Sequence, residues 1–131
     1  MEAEMSNVAS RSQVVCPRVL MVDDDPSVLE SMTEWLEERC RAEVTAYSSA
    51  EEVMASVQPG SFDVCILDYH LDGANGLTLG AMLRQILPGA RLILLSGELS
   101  ANIEMLAFEH GFGRVFAKPV APEKLAQAIV N

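Results

Sequence analysis

Five short apolar runs alternate along this chain with stretches whose apolar residues recur at helical spacing, and no other feature restricts the fold as strongly. The runs Arg18 to Val22, Glu43 to Tyr47, Val64 to Leu67, Arg91 to Leu95 and Arg114 to Ala117 read as strands. Between them, Pro26 to Cys40, Ala50 to Gln58, Leu77 to Leu87, Ala101 to His110 and Pro122 to the end fit amphipathic helices. Pro26 and Pro122 suit the first helical turn, where a missing N–H costs nothing. Pro88-Gly89 stops the third helix, and Gly111 supplies a left-handed residue after the fourth. Strict alternation implies a parallel sheet with helices on both faces and right-handed crossovers, which is a doubly wound α/β domain. Ligands of such sheets bind outside the carboxyl ends of the strands.

At 131 residues, half of them hydrophobic, the chain can bury one core of ordinary domain size, so one domain is expected. Residues 1–16 are polar and aperiodic and read as a leader, with the domain over 17–131. A formal charge of -10 argues against direct contact with nucleic acid, whose phosphates are met by surplus Lys and Arg. The three cysteines, Cys16, Cys40 and Cys65, show neither CxxC nor Cys/His spacing, so a disulfide framework or a zinc site is not expected. No run is apolar enough to span a bilayer, and no signal-peptide core opens the chain; a cytoplasmic location is the expectation.

The informative polar residues fall on one rim. The first strand ends in Asp23-Asp24-Asp25, the third in Asp68 with Asp72 following, the fourth in Ser96 and the fifth in Lys118. Five of the six Asp residues lie at two of these places, while most of the thirteen Glu are spread over helices. Asp25, just before Pro26, is expected to cap the first helix. Asp23, Asp24 and Asp68 would repel one another and raise one another's pKa unless a cation neutralised them. Ligation by oxygen alone, with positions left open for phosphate oxygens, suits Mg2+, with Mn2+ as a substitute. An Asp carboxylate can also attack phosphorus to form an acyl phosphate, and Lys118 and the metal would supply the positive charge that this needs. Ser96 is expected to contact the phosphoryl group, its alternative being to cap the following helix.

Through VDDDP, ILDYHLDGANGL, LLSGE and FAKP, the chain from Pro17 to Asn131 resembles the receiver domain of two-component response regulators, the chemotaxis regulator among them. The resemblance implies a flavodoxin-like fold with strand order 2-1-3-4-5. It implies that Asp68 is the phosphoacceptor, fed by a sensor histidine kinase or a histidine phosphotransfer protein. Asp23, Asp24 and Asp68 would hold Mg2+, with the backbone carbonyl of His70 completing the site. The side chains of His70 and Glu98 would flank the path of the hydrolytic water and tune signal lifetime. The chain would act as a phosphorylation-dependent switch rather than an enzyme.

Two positions depart from the family pattern: Asp72 stands where Pro is usual, and Val115 stands where an aromatic switch residue usually precedes the Lys. With that aromatic missing, another residue must report the signal. On the fourth helix, Ala101, Met105, Phe108 and Phe112 form a second apolar stripe beside the core stripe Ile103, Leu106 and Ala107. Met105 and Phe108, with Val115 nearby, are the expected partner face; packing against neighbouring loops is the alternative. The final helix is about a turn shorter than the family suggests, which fits either a single-domain regulator or a receiver excised from a longer protein; a further output domain or a receiver homodimer are the possible partners. Three rival readings carry less of the sequence. A receiver that only binds partners would not need the full set of site residues. A phosphatase of haloacid-dehalogenase type would use Asp23-x-Asp25, but lacks later acidic ligands and leaves Asp68 unexplained. A nucleotide or flavin module would want a glycine-rich loop after the first strand, which is absent.

Overall fold

The computed structural model describes residues 16–71 and 73–130. The expected leader, apart from Cys16, therefore lies outside the described residues, as do Asp72 and Asn131. In chain order the elements are β1 (Arg18–Val22), α1 (Pro26–Cys40), β2 (Glu43–Tyr47), α2 (Ala50–Ser56), β3 (Val64–Asp68), β4 (His70–Leu71) and β5 (Ala74–Asn75). They continue with α3 (Gly76–Ile86), β6 (Arg91–Ser96), α4 (Ala101–Glu109), β7 (Arg114–Ala117) and α5 (Pro122–Val130). Five strands form one parallel sheet in the order β2-β1-β3-β6-β7, which is 2-1-3-4-5 when only sheet strands are counted. The flavodoxin-like expectation is met.

The central strands are buried on both faces, which is why β1, β3 and β6 read as apolar runs rather than as alternations. Leu20, Val22, Cys65, Leu67, Leu92 and Leu94 pack on one face against Val53 of α2, Leu79 and Leu83 of α3 and Ala107 of α4. Val19, Met21, Ile66, Ile93 and Leu95 pack on the other against Leu29, Met32 and Leu36 of α1 and Leu125 and Ile129 of α5. Each large side chain so buried contributes about 1.5–3 kcal/mol by removal of apolar surface from water.

Local chemistry starts the helices. Asp25 caps α1, its Oδ1 accepting from Ser27 N–H at 3.0 Å. Ser49 caps α2, Asn75 caps α3 and Ser100 caps α4, each accepting from a backbone N–H of the first turn. Helix α1 ends with Arg41 in the left-handed region at φ 54, a place where glycine would be the usual residue.

Four expectations shift. Strands β3 and β6 run one residue further, so Asp68 and Ser96 are the last residues of strands rather than the first of loops. Helix α2 stops at Ser56. Inside the β3–α3 connection, β4 and β5 form a small antiparallel hairpin, pairing His70 with Asn75 and Leu71 with Ala74. Phe112 leaves the outer stripe of α4: it follows the helix and is buried, whereas Met105 and Phe108 are both 55 % exposed. Of the expected inner stripe, Ala107 is fully buried, while Ile103 and Leu106 are half-buried against the same cluster.

Candidate functional site

The rim at the carboxyl ends of β1, β3, β6 and β7 brings together the residues that the sequence singled out. Asp23 follows β1 and is buried, its N–H donating to Tyr47 O at 3.2 Å and its Oδ1 accepting from Asp25 N–H at 2.9 Å. Asp24 is exposed beside it. Asp68 ends β3 and is buried. One carboxylate oxygen from each of Asp23, Asp24 and Asp68 lies within 4.8 Å of the others. Lys118, directly after β7, is held there by its N–H, which donates to Ser96 O at 2.8 Å. Its Nζ reaches Asp23 Oδ2 at 3.1 Å and Asp68 Oδ2 at 3.0 Å, bridging the two buried carboxylates.

Burial pushes the Asp68 carboxyl above the ordinary carboxylate range, and the Asp23 charge adds to this against the Lys118 ammonium and the His70 backbone N–H. Burial works against the Lys118 charge as well, but the bonds to Asp68 and Asp23 outweigh it and leave the ammonium harder to deprotonate than usual. Three carboxylates against one ammonium leave two negative charges uncompensated. The donors are hard oxygens without thiol or imidazole in the cluster, which suits a divalent cation of the Mg2+ type better than zinc.

Ser96 is fully buried, and its hydroxyl donates to Glu98 O at 2.8 Å and accepts from Glu98 N–H at 3.2 Å. It does not cap α4, because Ser100 does. The side chains of His70 and Glu98 are exposed on the rim, and the imidazole meets the Tyr69 ring edge-on, with centroids 4.8 Å apart. Asp25 is engaged in capping α1 and does not join the cluster. Val115 is half-buried against the α3/α4 side of the sheet, while Met105 and Phe108 are exposed on α4.

Gly76, which the sequence does not mark as part of the site, lies against the backbone of Asp68. It opens α3 directly beneath Asp68, where a Cβ would collide with the Asp68 carbonyl oxygen and lie 3.0 Å from the carbonyl carbon. Its N–H donates to Tyr69 O at 2.8 Å. The sequence carries a signal, a glycine directly after the Asn cap of a helix, but not the identity of the backbone it must approach.

The fold and the site define the class: a doubly wound α/β domain with an acidic cluster and a lysine at the carboxyl rim of its sheet, where ligands of such sheets bind. The chain belongs to the response regulator receiver domain family, whose model matches residues 19–130. It is 32% identical over 111 residues to the alginate biosynthesis transcriptional regulatory protein AlgB of Pseudomonas aeruginosa, covering 85% of this chain and 24% of that protein. It is also 32% identical over 111 residues to the transcriptional regulatory protein GlrR of Escherichia coli, covering 85% and 25%. The chain thus spans about a quarter of the length of these relatives. Among solved structures, a CheY-like receiver domain protein from Methanospirillum hungatei superposes with a TM-score of 0.80 at 28% identity, covering 87% of this chain and 90% of that one. A response regulator from Burkholderia pseudomallei, solved with a phosphorylated aspartic acid, a calcium ion and citrate, gives 0.78 at 27% identity, covering 86% and 66%. Among the described residues no helix is long and apolar enough to cross a membrane.

Proposed function

We propose that this domain, over residues 17–131, accepts a phosphoryl group on Asp68 from the phosphohistidine of a sensor kinase or phosphotransfer protein, and that the modified site alters the binding of a partner. The observation that carries the reading is Lys118 Nζ bridging Asp23 and Asp68 at 3.1 and 3.0 Å, with Asp24 alongside. Asp23, Asp24 and Asp68, with the backbone carbonyl of His70, would hold Mg2+. When bound, the ion offsets the charge on the transferring oxygens and on the acidic cluster.

The Asp68 carboxylate oxygen attacks phosphorus, a P–O bond forms, the P–N bond to the kinase imidazole breaks, and the imidazole leaves with the electron pair and takes a proton. Lys118 is poised to trade its bond to Asp68 for one to a phosphoryl oxygen, which strengthens with the charge developing there. Ser96 can do the same only by giving up its bond to Glu98 O, so occupation of the site draws on the loop before α4. His70 and Glu98, exposed on either side, set how readily water reaches the acyl phosphate. Met105 and Phe108, with Val115 nearby, form the partner face. Location in the cytoplasm, with such a kinase and with a further output segment or a second receiver as partner, completes the reading.

Mass spectrometry after incubation with Mg2+ and a small acyl phosphate tests it. The expected result is a labile phosphoryl adduct that is absent with EDTA and in Asp68→Asn. No adduct under conditions that phosphorylate other receivers would leave a domain that only binds partners.

A further inference from the structure

Helix α3 touches both the acidic rim and the α4 side of the molecule. Gly76, Gly80 and Arg84, spaced four residues apart, share one flank of the helix. Gly76 lies against the Asp68 carbonyl, with no room for a side chain between them. At Gly80 the ring of Phe112 fills the space that a side chain would take: a Cβ there would overlap the ring tip, 2.5 Å from Cε1. At the third position the relation reverses. Gly111, at φ 97, is the small partner, and the Arg84 side chain lies over it, its Nε 2.5 Å from where a Cβ would be.

The two contacts therefore interlock, a ring entering a glycine of α3 and a side chain of α3 covering a glycine of the loop. That loop is tied to the last turn of α4. The Phe112 N–H donates to Ala107 O at 2.9 Å, and the Gly111 N–H donates to Phe108 O at 3.1 Å. Phe108 carries one of the two large exposed side chains on the outer face of α4. Close-packed contacts of this kind do not deform gradually, because small gaps forfeit much of the contact energy; they shift together or disengage. Val115 lies half-buried in the same cluster but carries no ring.

We propose that α3 carries a change at Asp68 to the Met105–Phe108 face of α4, through the interlock of Phe112 on Gly80 and Arg84 on Gly111. The proposal rests on the reading of Asp68 as phosphoacceptor and names the route by which that site reaches its output. It assigns to Phe112 the reporting role that Val115 has no ring to perform.

The test uses the whole chain with labelled methionine methyls, Mg2+ and beryllofluoride as the phosphoryl mimic. Met82, exposed on α3, and Met105, exposed on α4, report the two sides of the interlock. In the unaltered protein both methyl signals should shift, with a bound-fluoride signal that is lost in Asp68→Asn. In the double variant Gly80→Ala/Phe112→Leu, which refills the space without the ring, beryllofluoride should bind with unchanged affinity. The Met82 shift should persist while the Met105 shift falls by more than half. A full Met105 shift in that variant overturns the route, as does a silent Met105 in the unaltered protein when fluoride is bound. Absence of bound fluoride from the unaltered protein would instead defeat the phosphoacceptor reading, and the route with it. Should the double variant not fold, Arg84→Ala, altered on an exposed residue, is judged by the same two signals.

Discussion

Replacing Asp68 by Asn takes one charge from a buried position in a cluster that holds three carboxylates and one ammonium. At an effective dielectric constant of about 20, the buried Asp23 carboxylate, with an oxygen within 4.8 Å, repels Asp68 by about 3.5 kcal/mol or more, and exposed Asp24 adds a weaker, solvent-screened repulsion. On the same scale the Lys118 ammonium at 3.0 Å attracts it by about 5.5 kcal/mol. The remaining attraction, at most about 2 kcal/mol, is smaller than the several kcal/mol needed to take a carboxylate out of water. Ionised Asp68 is therefore a net liability to the metal-free fold, in agreement with the upward displacement of its pKa by burial and Asp23. A carboxyl whose folded pKa is raised favours folding while protonated and withdraws that support as pH rises from the ordinary carboxylate value through the folded one. Asp68→Asn should thus gain about 1–2 kcal/mol over the unaltered protein at neutral pH in EDTA, a rise of several degrees in Tm for a domain of this size. The gain should narrow as pH is lowered toward the ordinary carboxylate pKa. Urea unfolding at two pH values, with an unchanged m-value, measures it. Saturating Mg2+ should stabilise the unaltered protein far more than the variant. An Asn variant no more stable than its parent at neutral pH without divalent metal would refute the reasoning.

Gly76→Ala forces a methyl against the Asp68 backbone, so it should lose about 1–3 kcal/mol of stability and weaken Mg2+ binding, both visible by denaturation and calorimetry; unchanged Mg2+ affinity would show that Gly76 does not position the site. Cys65 is fully buried, and burial pushes its thiol up to about 12, so a disulfide reagent at mildly alkaline pH should modify exposed Cys16 quickly and Cys65 only at the rate of unfolding. Arg91, at the start of β6, donates Nη1 to Ala128 O at 2.8 Å and Nη2 to Ile129 O, giving α5 the C-terminal cation that its own last turn lacks. Arg91→Gln should therefore destabilise by about 1–2 kcal/mol and speed amide exchange over residues 126–130, and unaltered exchange there would contradict it.

The parts of this architecture legible in the sequence were those governed by local rules. Apolar runs flanked by turn residues placed the five sheet strands, and Asp25 before Pro26 announced the start of α1. The acidic site was legible for a different reason: fold class alone sends the ends of β1, β3, β6 and β7 to one rim, so residues far apart in sequence could be placed together. What escaped was decided by contacts between distant segments. Phe112 continues the outer stripe of α4 by spacing, yet the chain turns at Gly111 and delivers the ring to Gly80, thirty-two positions away in sequence. The β4–β5 hairpin is too short to leave a periodic signal. Arg41 adopts a left-handed conformation that its residue type does not advertise. Of the two roles expected of Ser96, the capping of α4 falls to Ser100, because the Ser96 hydroxyl engages Glu98 and not the first turn of that helix.

The fit of Phe112 over Gly80 also limits how the sequence of this protein can drift. Neither position is free on its own: any side chain added at 80 meets the ring, and a smaller residue at 112 leaves an unfilled volume beside a helix that has nothing to offer in return. Change is open to the two only as a pair, bulk moving from one to the other. Close relatives of this chain should therefore fall into two groups, large at 112 with glycine at 80, or small at 112 with a bulkier residue at 80, and single-step intermediates between them should be scarce.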